Sequence, residues 1–127
     1  MQRAKIKPVM PSLREKKRYV VYEIISKGKI QSYQQIADTI NYTLLQFLGE
    51  LGYGNAGIML MHDQWNYDAQ RGIIRVSHLY MNHLRSALML IKKVAQEEVI
   101  FRTVGISGML KKARNKFVYS SIKRGVN

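Results

Sequence analysis

Residues 101–117, FRTVGISGMLKKARNKF, pass from an apolar strand through a run of small residues into a basic helix, and the architecture of the whole chain hangs on that join. The strand side, 100–106, is rich in β-branched and aromatic residues, which suit a pleated, half-buried surface. Gly105 is expected to close it. Ser107 can accept a hydrogen bond from a free backbone N–H of the next turn, and Gly108 allows close approach of another group. Beyond them Leu110, Ala113 and Phe117 recur on one helical face, while Lys111, Lys112, Arg114 and Lys116 fan around the rest. The first turn of a helix already carries partial positive charge and favours Asp or Glu, so Lys111 and Lys112 there are in conflict unless an anion is bound. No acidic residue lies between Phe101 and Asn127 to supply one internally. The pattern meets the physical requirements of a phosphate contact; taken alone it equally describes a solvated basic helix end.

Working back from that stretch, residues 79–96 carry Tyr80, Leu84, Ala87, Leu88, Ile91 and Val94 at helical spacing and predict a helix. Residues 57–62 and 72–77 read as two strands joined by a polar turn at 66–70, hence a hairpin. Ser32 with Gln35 forms a capping-box pattern ahead of Ile36, Ile40, Leu44, Phe47 and Leu51, predicting a helix that ends near Gly52 and Gly54. Residues 19–25, YVVYEII, are the first strand. The order strand, helix, strand, strand, helix, strand predicts an α+β, ferredoxin-like or RNA-recognition-like βαββαβ sandwich. Its antiparallel sheet would carry two helices on one face, with a further basic helix at the C-terminus. Both faces of the strands carry apolar residues, so the second face should also be covered, by the terminal helix, a second copy or another protein.

A chain of 127 residues suits one domain, here residues 19–119, flanked by a basic arm at 1–18 and a basic tail at 120–127. The formal charge of +13 exceeds what solubility requires and predicts a polyanionic partner. Two thirds of the cations lie in 1–18 and 102–124, leaving the middle nearly balanced, as a binding surface would require. With no cysteine, disulfides and thiolate metal sites are excluded. No apolar run is long enough to cross a bilayer and no signal-peptide core opens the chain, so a cytoplasmic protein is expected.

Little in the sequence suggests autonomous catalysis. His62, His78 and His83 lie near Asp63 and Asp68 but lack the i, i+4 pairing that places two ligands on one helical face, and a small nuclease is the reading they would carry. Glu97 and Glu98 read as a solvated loop. No glycine-rich nucleotide loop is present. The third strand has Ile73, Arg75 and Ser77 on one side and Ile74, Val76 and His78 on the other, without the aromatic residues that stack bases on RNA-recognition sheets. Contact with RNA is then expected through charge at the arm and terminal helix.

Three blocks, LREKKRYVVYEI (13–24), RGIIRVSHLYMNHLRSAL (71–88) and RTVGISGMLKKARNKF (102–117), resemble the archaeal ribonuclease P protein component 2 family, which has eukaryotic relatives in ribonuclease P and MRP. The second block has the family's pattern at Arg75, His78, Arg85, Ala87 and Leu88; the third has its Gly-x-Ser-Gly opening and basic helix, departing only at Met109, where a small polar residue is usual. The resemblance implies a protein subunit of the RNA enzyme that removes the 5′ leader from precursor tRNA. Chemistry would lie in the RNA, with magnesium used by that RNA and no cofactor bound by the protein. It further implies pairing with ribonuclease P protein component 3 and other ribonuclease P proteins, contact with precursor tRNA only indirectly, and self-association as a homodimer. Arg14, Lys16, Lys17 and Arg18, with Ser107, Gly108, Lys111, Lys112, Arg114 and Lys116, are the expected RNA surface. Arg75, His78 and Arg85 are either RNA-binding or structural. The alternative is a general or ribosome-associated RNA-binding module of the same fold.

Overall fold

A computed structural model describes residues 16–118. Its centre is β1 (Lys17–Ser26), flanked by β3 (Arg71–Ser77) on one side and β5 (Glu97–Ser107) on the other, both antiparallel to it. With β2 (Met59–Leu60) beyond β3 and β4 (Lys93–Val94) beyond β5, the sheet runs β2-β3-β1-β5-β4. The protein is therefore α+β, with a five-stranded antiparallel sheet and three α-helices among the described residues. β1 starts earlier than residue 19, so Lys17 and Arg18 of the expected arm are strand residues paired with Ser77 and Val76.

Alternation along β1 feeds two cores. Val20, Tyr22 and Ile24 point to the first face, where Ile74, Val76, Val99 and Phe101 from the neighbouring strands join them. Two helices, α1 (Tyr33–Ala56) and α2 (Met81–Leu88), close this face through Ile36, Ile40, Leu44, Leu84, Ala87 and Leu88. Each such large side chain, taken fully out of water, contributes about 1.5–3 kcal/mol. The register between β1 and β5 slips at Val21/Tyr22, where Tyr22 faces Thr103 but Val21 faces Gly105. One extra residue, Val104, is thereby inserted into β5. This bulge lets odd-numbered Val99 and Phe101 share the first face with even-numbered Ile106.

The Ser32 cap forms as expected, its Oγ accepting from Gln35 N at 3.3 Å. The helix, however, breaks at Gly49 (φ 76°, ψ 170°) before resuming to Ala56. Before the break the inward stripe continues through Leu48, leaving Phe47, expected inside, 44% exposed; after it Tyr53 and Ala56 pack on the core and Leu51, also expected inside, is 80% exposed. In the hairpin, β2 shortens to two residues because the chain turns into a 3-10 segment at His62–Gln64. The predicted helix over 79–96 is the largest correction. A 3-10 turn (His78–Tyr80) leads into α2, which stops at Leu88; Lys93 and Val94 then pair with Glu98 and Glu97. Ile91 and Val94 are buried as expected, but from a turn and a strand. Ala95 and Gln96 make the hairpin with φ of 51° and 74°, left-handed values that non-glycine residues rarely adopt. Glu97 and Glu98 are thus strand residues, and Glu97 accepts from Gly28 N at 3.1 Å.

The second face is covered from within the chain. After β5, α3 (Leu110–Ala113) continues into a π-helical turn (Arg114–Val118) that lies over Val21 and Ile73. Ala113 and Val118 are fully buried there, with Tyr19, Met61, Val104, Leu110 and Phe117 around them. Of the three covers that the apolar face allowed, the terminal helix is the one observed. Gly105 does not end the strand. It provides a seat for the Phe117 ring, because a Cβ at that position would come within 2.3 Å of Phe117 Cε1.

Candidate nucleic-acid interface

Because β1 is antiparallel to both neighbours, its first residues meet the last residues of β3 and β5. Lys16, Lys17 and Arg18 from one, Arg75 and His78 from the next, and Ser107 and Gly108 from the third converge at one end of the sheet. Tyr19 sits between Arg75 and Ser107 in register. Gly108 is exposed, and a Cβ there would lie 3.7 Å from Arg18 Nη1, so the guanidinium stands beside the small-residue turn. Ser107 Oγ accepts from Met109 N at 3.1 Å, as the sequence suggested, tightening the turn just ahead of the helix, whose start has no side-chain cap. Regular helix begins at Leu110 rather than at the Gly-Ser-Gly run.

From that end the terminal helix carries Lys111, Lys112 and Lys116 exposed and Arg114 half-buried, while Ala113 and Phe117 face the sheet. Lys116 Nζ lies 5.6 Å from the Phe117 ring centroid, its stem over the aromatic edge of the second core. One basic group thus lies at the sheet end and another along α3, with Arg18 in register with Val76 of the first face and the helix over the second. Arg14 lies outside the described residues.

The residues left open divide on geometry. His78 N and Nδ1 both face the carbonyl of Lys16, at 2.8 and 3.2 Å. A carbonyl only accepts, so Nδ1 carries the proton and the ring holds the entrance of β1 in place. Arg75 sits on the second face beside Tyr19 with its Nε buried and without a hydrogen-bond partner among the described residues. A guanidinium so placed has unused donor capacity toward an anion. Arg85 is exposed on α2, which packs on the opposite face of the sheet from α3, so it stands apart from the convergent group. Among the described residues no group of three His, Cys, Asp or Glu side chains could hold a metal; His62 packs against Tyr33 and His83 against Tyr80.

Sequence reasoning missed the other end of the terminal helix. Arg71, whose side chain is only 5% exposed, donates from Nη1 to the Phe117 carbonyl at 2.6 Å and from Nε to Glu23 Oε2 at 3.2 Å. The second oxygen of Glu23 accepts from Arg102 Nε at 2.6 Å. Asn66 Nδ2 donates to the Val118 carbonyl at 3.3 Å. Both carbonyls lie in the last described turn of the terminal helix, which these side chains tie to β3 and the turn before it. The available signal was an arginine within the apolar alternation of β3, next to the turn.

Sheet, covering helix and charge together define a small basic α+β protein of the kind found in ribonucleoproteins, built to present cations. The chain belongs to the Rpp14/Pop5 family, which matches residues 18–118. It is 34% identical over 114 residues to ribonuclease P protein component 2 of Pyrococcus horikoshii, covering 90% of this chain and 92% of that one. Identity to the Methanococcus vannielii protein of the same name is 34% over 116 residues, covering 91% and 85%. For that of Methanocaldococcus jannaschii it is 28% over 113 residues, covering 89% and 81%. A chain of the yeast ribonuclease MRP cryo-EM structure shares the fold, with a TM-score of 0.57 at 14% identity over 88% of this chain and 92% of that one. No helix among the described residues is long and apolar enough to cross a membrane.

Proposed function

We propose that this chain is the component 2 protein of a cytoplasmic ribonuclease P, binding and stabilising the catalytic RNA that removes the 5′ leader from precursor tRNA. The observation that carries the reading is the convergence of three strand ends at the point where a one-signed helix begins. Lys16, Lys17, Arg18, Ser107, Gly108, Lys111, Lys112, Arg114 and Lys116 contact the RNA backbone, with Arg75 beside them; Arg14 belongs to the same reading. Neutralising clustered phosphates lowers the magnesium that the RNA needs to fold, while the metal that serves the reaction stays with the RNA. The protein itself supplies no catalytic group and binds no cofactor.

The fold reading is ferredoxin-like: strand order β2-β3-β1-β5 with α1 and α2 on one face, plus the small β4 hairpin and the covering helix. Since the second sheet face is covered, pairing with ribonuclease P protein component 3 is assigned instead to exposed apolar residues of α1, namely Tyr42, Leu45, Phe47 and Leu51. Other ribonuclease P proteins, or a second copy, are further occupants of such surfaces. Precursor tRNA is contacted only through the RNA.

The test is precursor-tRNA cleavage by the matching ribonuclease P RNA and component 3, with this chain added, omitted, or carrying Lys111→Ala, Lys112→Ala and Arg114→Ala together. Activation at limiting magnesium by the unaltered chain, reduced in the folded triple variant, is expected. No activation in an otherwise working reconstitution would favour a general or ribosome-associated RNA-binding module. Activation untouched by the triple substitution would keep the subunit assignment and discard the helix as its RNA contact.

A further inference from the structure

The terminal helix is a poor helix in isolation. Within the described residues it comprises four α-helical residues and five in a π-helical turn, and its four cations repel one another with no acid among them. Its orientation is therefore imposed by what holds it. At the start that is Ser107 Oγ; at the end it is the Arg71 guanidinium on the Phe117 carbonyl, with Asn66 on the Val118 carbonyl. Arg71 is in turn aimed by Glu23, whose second oxygen is held by Arg102. At 5% exposure the Arg71 side chain is unavailable to a polyanion, and Glu23 has the wrong sign for one.

We propose that Arg71 and Glu23 are positioning residues for RNA binding, acting through the far end of the terminal helix to keep its cations fixed against the sheet. This rests on the RNA-binding reading given above. Arg71 has the planar fork needed to serve a carboxylate and a carbonyl at once, which a lysine lacks. Loss of the clamp leaves every cation on the chain but lets the helix swing away from the sheet. The phosphates that it and the strand ends neutralise together are then no longer neutralised at once.

Glu23→Gln separates this from simple electrostatics because the two predict opposite signs. Raising the net charge by one should tighten binding to RNA; loss of the clamp should weaken it. The second variant, Arg71→Lys, leaves the net charge unchanged. Each full-length protein is titrated with a ribonuclease P RNA transcript from 50 to 200 mM salt, and amide exchange is followed at 110–118 and at 20–24 without RNA. Expected for Glu23→Gln are faster exchange confined to 110–118, affinity about tenfold weaker, and a salt slope shallower by about two phosphate contacts. Arg71→Lys should follow in the same direction. A merely destabilising change would accelerate exchange at 20–24 as well and leave the salt slope of the folded fraction unaltered, which would overturn the inference. So would unchanged or tighter binding by Glu23→Gln. Failure of the unaltered chain to bind with a steep salt slope would instead remove the RNA-binding reading, while the exchange arm would still report whether the clamp holds the helix.

Discussion

Among the described residues, seventeen form the buried core between the first face of the sheet and α1 and α2, and four form the one between the second face and the terminal helix. On the first, large side chains interlock: Tyr22 stacks with Trp65 and Phe101 at centroid separations of 6.1 and 5.7 Å, and ten of the chain's twelve largest fully buried side chains lie there. On the second, a short one-signed helix rests on Val21 and Ile73 and depends on hydrogen bonds at its ends. The difference separates two tasks. The large core makes the domain fold; the small one aims a charged segment, and being small it should open locally at lower free energy than the whole.

Substitution within the large core should show the greatest effect. Leu84→Ala, at a fully buried position under α2, should lower unfolding free energy by about 2–5 kcal/mol in urea titrations. Loss of amide protection should reach β1, β3 and β5 together; an effect confined to α2 would break the distinction between the faces. Gly105→Ala sets a methyl against the Phe117 ring and should cost about 1–3 kcal/mol. Its exchange signature should be strongest at 110–118, and uniform loss of protection would mean that the two cores unfold as one.

Alkaline titration probes the large core separately. Burial, aided by neighbouring Tyr33, holds the Tyr22 hydroxyl well above the ordinary tyrosine value of 10.0. Below pH 10 both folded and unfolded chains keep that proton, so stability there is unaffected. Above it the unfolded chain releases the proton while the folded one retains it, and stability falls by up to about 1.4 kcal/mol per pH unit from this group until its folded value is reached. Thermal melts between pH 9 and 11 should show the decline, lessened in Tyr22→Phe; an unaltered slope would assign it to other tyrosines. The smallest effect belongs to Leu51→Ser, which at 80% exposure should change stability by no more than about 0.5 kcal/mol. A larger loss would mean that Leu51 packs inward after all.

What the sequence revealed follows the range of each interaction. The Ser32 cap and the stripe Ile36, Ile40, Leu44 are set by neighbours within a turn or two and were legible. The same stripe was carried too far because Gly49 gives no local sign of whether it will bend a helix or sit quietly within it. Residues 89–96 misled for another reason: the Ala95–Gln96 turn has left-handed backbone without glycine or asparagine, so tertiary pairing overrode a helical pattern. At the interface, basic residues declared themselves by composition and order. The convergence of three strand ends required topology, and Arg71 with Glu23 required partners 46 and 48 residues away.

The bulge at Val104 sets which parts of the chain can change length. In the turn at 66–70 a residue gained or lost alters the loop and its ties, which Asn66 makes to the Val118 carbonyl, Gln70 to β1, and Tyr67 and Asp68 to Lys29 and Gln31. Loss of Val104 would take out the bulge itself and make Thr103 and Gly105 consecutive partners of Tyr22 and Val21: Ile106 would stay on the large core and the glycine seat would stay under Phe117. A single-codon deletion there would be read as a straightened strand with both faces kept, at the site where the scaffold hands the chain over to its charged helix.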